Sequence, residues 1–207
     1  DASGYGILGC RVTDLGGGQY HYEYAVYNMN SDRSFASCSV PSSPGLLVSN
    51  IGFHDVAYHS GDGYNSSPAN VVNFDGTDWP GWNNGSTISW ALVPASPVEN
   101  SNAIRWGTLY NFRFDCNAAP VAGNVTLGLF KPVAGLPDSM IVLTQVPGSV
   151  TPCAADVNGD GTVNILDLLS VVAAWGQSGP NPADVNGDNT VNILDLLAVV
   201  AAWGACN

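Results

Sequence analysis

The clearest chemistry in the chain lies near its C-terminal end, where oxygen-bearing side chains recur at alternate positions ahead of an apolar run. Residues 155–176 read ADVNGDGTVNILDLLSVVAAWG, and residues 183–204 repeat this as ADVNGDNTVNILDLLAVVAAWG, differing only at Gly161/Asn189 and Ser170/Ala198. Calcium takes six to eight oxygens, and a twelve-residue loop supplies them from positions 1, 3, 5, 7, 9 and 12. In the first copy these positions are Asp156, Asn158, Asp160, the Thr162 carbonyl, Asn164 (directly or through water) and Asp167. In the second they are Asp184, Asn186, Asp188, the Thr190 carbonyl, Asn192 and Asp195. Position 6 has to turn with positive φ, which suits Gly161 and is tolerated by Asn189. The alternative is a pair of Asn/Gly/Asp turns that cap two helices without metal, and the tandem repetition argues against it.

Charge supports the metal reading. Between residues 151 and 207 the ionisable side chains are Asp156, Asp160, Asp167, Asp184, Asp188 and Asp195, each a candidate ligand, with no basic partner. Three carboxylates per loop repel one another without a cation, so folding of this segment is expected to be coupled to binding of two Ca²⁺.

The tandem loop-helix segments resemble a dockerin module, the small calcium-folded domain that plugs secreted proteins into cohesin partners. The resemblance covers about a quarter of the chain, residues 153–207. It implies an all-α, two-calcium domain in which each repeat keeps the loop and the exiting helix. It also implies that loop positions 10 and 11, here Ile165 with Leu166 and Ile193 with Leu194, help read the partner. Leu169 and Leu197 lie on the same helix faces and complete the expected partner-binding set. Better-known members carry Lys and Arg along these helices, whereas here the helices expected over residues 165–175 and 193–203 have no basic residue.

The elements ahead of this module read as strands. Tyr20, Tyr22 and Tyr24 alternate with His21 and Glu23 after the glycines at 16–18, the pattern of a hairpin with one buried face. Further strand candidates follow at the turn spacing of an antiparallel β-sandwich, jelly-roll-like, with about nine strands over residues 1–146. Residues 147–152 form the expected linker. Trp90 and Trp106 fall inside strand candidates and are expected in the core.

The sequence holds five cysteines and starts at Asp1 rather than Met, the pattern of a secreted, extracellular or cell-surface protein with its leader removed. Cys153 and Cys206 bracket the module and are expected to pair, a closure contributing about 4 kcal/mol in the chain-entropy model. If the first three strands form a meander, Cys10 and Cys38 flank Tyr24 at about 9–10 Å, beyond disulfide reach. Cys38 is then expected to pair with Cys116, leaving Cys10 over.

Several function classes are disfavoured. A net charge of −12 with five basic residues argues against nucleic acid, and no apolar run is long enough for a membrane span. The sequence has no HExxH or GxSxG motif, and His21, His54 and His59 lack metal spacing. Glycoside hydrolysis needs two carboxyls on one cleft, and nothing singles out a pair. Trp79 and Trp82, in a Gly/Pro-rich loop, suit stacking on sugar rings, with burial over the sandwich end as the alternative. Residues 54–61 (HDVAYHSG) and 105–115 (RWGTLYNFRFD) are similar to an uncharacterised β domain found ahead of dockerin-like tails in secreted bacterial proteins.

Two functions are therefore expected to compete. One is a non-enzymatic structural protein whose module docks on a cohesin-like β-sandwich, that of a separate protein or of another copy, giving a homopolymer. The other is a carbohydrate-binding component carried on a cellulosome-like scaffold, with polysaccharide as partner.

Overall fold

Side chains alternate across each strand with a period of two, and in this chain that alternation sorts aromatics inward and polar groups outward. The computed structural model describes residues 4–59, 61, 63–64, 71–149 and 153–205. The chain divides into two units, Asp1–Ser149 and Val150–Asn207. The first unit runs β1 (Gly6–Gly16), β2 (Gln19–Asn28), β3 (Phe35–Pro41), β4 (Val48–His54), β5 (Gly63–Tyr64), β6 (Val71–Val72), β7 (Gly81–Asn83), β8 (Thr87–Ala91), β9 (Leu109–Cys116), β10 (Pro120–Leu129) and β11 (Ser139–Pro147). Four of these form one antiparallel sheet, β1-β2-β9-β4, and five form a second, β11-β10-β3-β8-β7, while β5 and β6 pair as a separate ribbon. Two packed sheets make the unit a β-sandwich.

β1 and β2 form the expected hairpin. Its turn needs three consecutive residues in the left-handed region, and Gly16, Gly17 and Gly18 supply φ of 81°, 62° and 77°. Tyr22, Tyr24 and Val26 from β2 and Tyr110, Phe112 and Phe114 from β9 are fully buried, facing Cys38 and Val40 of β3 and Ile88 and Trp90 of β8. Tyr22 stacks on Phe114 at 5.1 Å between ring centroids, and Trp90 tilts against Phe112 at 5.3 Å. Such pairs contribute about 0.5–1.5 kcal/mol each beyond the area they bury.

The first three strands do not form a meander. β3 crosses to the second sheet, between β10 and β8, and Cys38 sits opposite Leu127 and Trp90. The Cys38–Cys116 disulfide expected from the sequence is absent: both thiols are free and buried, one in each sheet, and Cys10 is also free. Burial pushes the Cys116 thiol up to about 11 and that of Cys38 higher still, so both stay protonated, as small core hydrophobes do. For the other expected pair, Cys153 is disulfide-bonded and Cys206 lies outside the described residues. Trp90 is in the core, but Trp106 is not. Gly107 (φ 79°) turns the chain ahead of β9, the Gly107 amide donates to the Asn28 carbonyl at 2.7 Å, and Trp106 is left 70 % exposed.

The outer face of the four-stranded sheet carries two charged rows beside an apolar one of Ile7, Tyr27 and Leu109. In one row across the strands Arg11 lies beside Glu23 and Glu23 beside Arg113; in the next, Thr13 lies beside His21 and His21 beside Asp115. Asp115 is held from two sides, by His21 Nδ1 at 2.5 Å and by Asn50 Nδ2, which donates at 2.5 Å. Burial alone raises the Asp115 carboxyl. The hydrogen bonds from Asn50 and His21 and the charge of His21 outweigh that effect and hold it below the ordinary carboxylate value. A carboxyl depressed on folding stabilises above its unfolded pKa and loses that contribution as pH falls through the folded value. Asp115→Ala is therefore expected to lower sandwich stability by about 1–2 kcal/mol at neutral pH. In melts of wild type and variant, followed by near-ultraviolet dichroism, the gap should close once the pH is below the carboxylate range. A gap constant down to pH ~3 would contradict this account of Asp115.

Candidate calcium-loop module

The second unit carries β12 (Thr162–Val163), α1 (Ile165–Ala173), α2 (Ile193–Ala201) and β13 (Gly204–Ala205), with β12 and β13 paired antiparallel. The helices end two residues short of Trp175 and Trp203, where the sequence pattern had placed their ends. Each helix is preceded by one of the loops, and each loop wraps its own first carboxylate. Asp156 Oδ1 accepts from the amides of Gly159 (2.9 Å) and Asp160 (3.1 Å), and its Oδ2 accepts from Gly161 (2.8 Å). Asp184 does the same with Gly187 (2.9 Å), Asp188 (3.0 Å) and Asn189 (2.7 Å). Gly161 and Asn189 take the left-handed turn at position 6, with φ of 86° and 66°. The two loops thus share one geometry although position 6 differs.

The side chains at positions 3 and 5 are stapled in the same way. Asn158 Oδ1 accepts from the Asp160 amide at 2.9 Å and Asp160 Oδ1 from the Thr162 amide at 2.9 Å; the matching bonds to Asp188 and Thr190 are 2.8 and 2.9 Å. Positions 9 and 12 have a second role that the ligand reading missed. Asn164 is the N-cap of α1, its Oδ1 accepting from the Leu166 amide, while Asp167 Oδ2 accepts from the Asn164 amide at 2.8 Å. Asn192 and Asp195 form the same capping box on α2. The signal was present as Asn-x-x-Asp before each apolar run, a form of the capping-box pattern. Asp167 Oδ1 also reaches back to the Asn158 amide at 3.1 Å, and Asp195 Oδ1 to the Asn186 amide at 3.0 Å, so position 12 ties loop to helix.

The donor chemistry fits a hard cation. Asp167 and Asp195 have no exposed surface. The segment 151–207 contains no Lys, Arg or His to neutralise them. Burying a carboxylate without a counter-charge is costly, and oxygen donors of carboxylate, amide and backbone type are what Ca²⁺ selects. The set mixes carboxylate, amide and backbone oxygens, and among the described residues no three His, Cys, Asp or Glu side chains are gathered closely enough to hold a metal ion, so the three aspartates of each loop do not converge as the sequence pattern predicts. For Asp195, burial raises the carboxyl, but backbone amides led by that of Asn192 hold it below its ordinary value.

The module's core is small. Ala155, Val163 and Val171 from the first repeat meet Ala183, Val191 and Val199 from the second. Val157, Leu168, Ala174, Val185 and Leu196 pack against this cluster and are only partly buried, so the apolar core of the segment is small and the loops contribute to its folding free energy. The opposite faces of the helices stay open. Ile165, Leu166, Leu169 and Val172 are 47–53 % exposed, and Ile193, Leu194, Leu197 and Val200 are 48–54 % exposed.

The second unit is thus two loop-helix repeats on one core, following the β-sandwich in the chain. Residues 154–203 match the family model of the dockerin type I domain, and this part of the chain is such a domain. Domains of this type typically bind calcium and dock on cohesin partners, and they occur on extracellular cellulosome-type proteins. No curated protein matched the chain.

The aromatic pair proposed for sugar does not act as a pair. Trp79 is 1 % exposed, stacks on Phe53 at 5.6 Å and donates from Nε1 to the Asn102 carbonyl at 2.6 Å. Only Trp82, on β7, stays 42 % exposed. Sequence could not separate them, because both stand in an irregular segment where no period says which way a side chain points.

Proposed function

We propose that this chain is a secreted, non-enzymatic assembly component whose C-terminal domain, folded around two Ca²⁺, docks on a β-sandwich, either a cohesin-type partner or the sandwich of the next copy. The observation that carries the reading is the pair of uncharged, half-exposed helix faces, Ile165 to Val172 and Ile193 to Val200, related by the repeat. An apolar surface of this kind on a folded domain marks an interaction site. The loops hold the ligands Asp156, Asn158, Asp160, Thr162, Asn164 and Asp167 in one repeat and Asp184, Asn186, Asp188, Thr190, Asn192 and Asp195 in the other. They fix both helices by their N-termini, so calcium governs whether the docking faces exist.

Docking is tested with full-length protein in calcium and in chelator, by sedimentation alone and by calorimetry against a type I cohesin. Association in calcium, lost in chelator and lost in Leu166→Asp/Leu194→Asp, is the expected result. A calcium-loaded chain that neither binds the cohesin nor associates with itself would refute the reading. A carbohydrate-binding role now rests on Trp82. Retention on insoluble polysaccharide that Trp82→Ala leaves unchanged would remove its remaining support.

A further inference from the structure

The outer faces of the two sheets differ in a way that follows from strand order. On the four-stranded sheet two adjoining outward rows carry Arg11, Glu23, Arg113, His21 and Asp115, and a shorter uncharged row, Ile7, Tyr27 and Leu109, lies toward one end. On the five-stranded sheet one row runs Ile141, Thr126, Ser39, Ser89 and Trp82 across β11, β10, β3, β8 and β7, each residue the register partner of the next. The adjoining rows add Leu143 and Asn124 on one side and Ser139, Gly128, Ser37 and Ala91 on the other. No charged side chain stands on these strands at all. The serine hydroxyls are tied down within the face, Ser89 Oγ lying 3.0 Å from both Ser39 Oγ and Thr87 Oγ1. Ile141 and Leu143 are 69 % and 73 % exposed, at the β11 edge.

Building on the docking function proposed above, we infer that this uncharged outer face of the five-stranded sheet receives the dockerin domain of a second copy of the chain. Charge selects the pair. In a chain of net charge −12 an apolar helix face that lands on carboxylates or guanidinium groups has to strip them of water, which costs several kcal/mol per unpaired ion. The helix faces carry no charge, and this sheet face carries none, so the contact desolvates apolar side chains and hydroxyls already bonded to one another. The dimensions agree. Five strands about 4.8 Å apart span roughly 19 Å. Two helices of nine residues, each about 13 Å long and packed about 8–10 Å apart, fit on that width. Helix face and sheet face are different surfaces of one chain, so the contact is heterologous. Each copy then offers a free face at both ends, and the assembly grows as a filament unless it closes into a ring.

The test uses three full-length double variants in calcium. Leu166→Asp/Leu194→Asp blocks the helix faces, Ile141→Asp/Leu143→Asp blocks the sheet face, and Ile7→Asp/Leu109→Asp places the same added charge on the outer face of the other sheet. Sedimentation and electron microscopy of wild type should show concentration-dependent polymers. Each blocked variant alone should associate at least about 100-fold more weakly, as expected when an unpaired charge is buried. The two blocked variants mixed should form a one-to-one heterodimer, which shows that both are folded, and the third variant should polymerise like wild type. Polymerisation of Ile141→Asp/Leu143→Asp at wild-type strength would overturn this receiving face while leaving the docking function standing. An equal loss in Ile7→Asp/Leu109→Asp would overturn it too. A wild type that stays monomeric in calcium yet binds a cohesin would overturn self-docking alone.

Discussion

Asp156→Ala and Asp184→Ala, each introduced singly, are expected to abolish the fold of the dockerin domain while leaving the sandwich intact. The reason lies in how much each carboxylate holds. Asp156 accepts three loop amides through its two oxygens and occupies position 1 of the ligand set, and Asp184 does so in the second loop. Alanine removes a charged ligand and orphans three amides at once. The six-residue core of valine and alanine has little to set against that loss, because each repeat contributes half of it. Binding energies for calcium loops are folding energies when no folded apo state exists, so damage to one loop spreads to both repeats. Far-ultraviolet dichroism should lose the α1 and α2 signal, and proteolysis should release an intact sandwich. A variant that keeps its helical signal in calcium would show that amides and core suffice.

Asn102→Ala is expected to have the largest effect in the sandwich. Asn102 is fully buried in the segment ahead of β9. Its Nδ2 donates to the Asp55 carboxylate and to the Thr77 carbonyl, its Oδ1 accepts from the Tyr110 hydroxyl, and its carbonyl accepts from Trp79 Nε1. One side chain therefore joins three loops to the aromatic core. Burial already raises the Asp55 carboxyl, and the bond from Asn102 is the largest influence pulling it back down. Without Asn102 the carboxylate loses that donor and the Thr77 carbonyl loses one as well. A cost of about 3 kcal/mol follows from leaving such groups unpaired. For a unit of this size that is a fall in Tm of roughly 6–12 °C. Because folding raises the Asp55 carboxyl and losing the Asn102 donor raises it further, the deficit should shrink as pH falls and the carboxyl is protonated. Melts of wild type and variant at neutral and acidic pH measure both effects, and a loss under about 1 kcal/mol would mean that solvent satisfies the network.

What could be read from the sequence follows the range of the interactions. The turns of the loops were legible because their hydrogen bonds close within twelve residues, so residue order alone sets the backbone path. The β1–β2 hairpin was legible for the same reason, with three glycines at its turn. Strand exchange between sheets was not. β3 alternates Cys38 and Val40 with Ser37 and Ser39 just as a third meander strand would, and only its partners β10 and β8 show which sheet it joins. The expected Cys38–Cys116 pair failed with that strand order. Asn102 gave no signal, since a buried asparagine in an irregular segment looks like any loop residue. The uncharged sheet face was invisible for a related reason: Ile141, Thr126, Ser39, Ser89 and Trp82 are scattered through the chain and become neighbours only once the order β11-β10-β3-β8-β7 is known.

The central claim is that calcium builds the docking domain, and titration of the chelated full-length chain with Ca²⁺ tests it most directly, with heat and far-ultraviolet dichroism followed together. Two ions bound per chain, with helical signal gained over the same range of added calcium, is the predicted result. A chain that is already helical and melts cooperatively in excess chelator, unchanged when calcium is added, would contradict it.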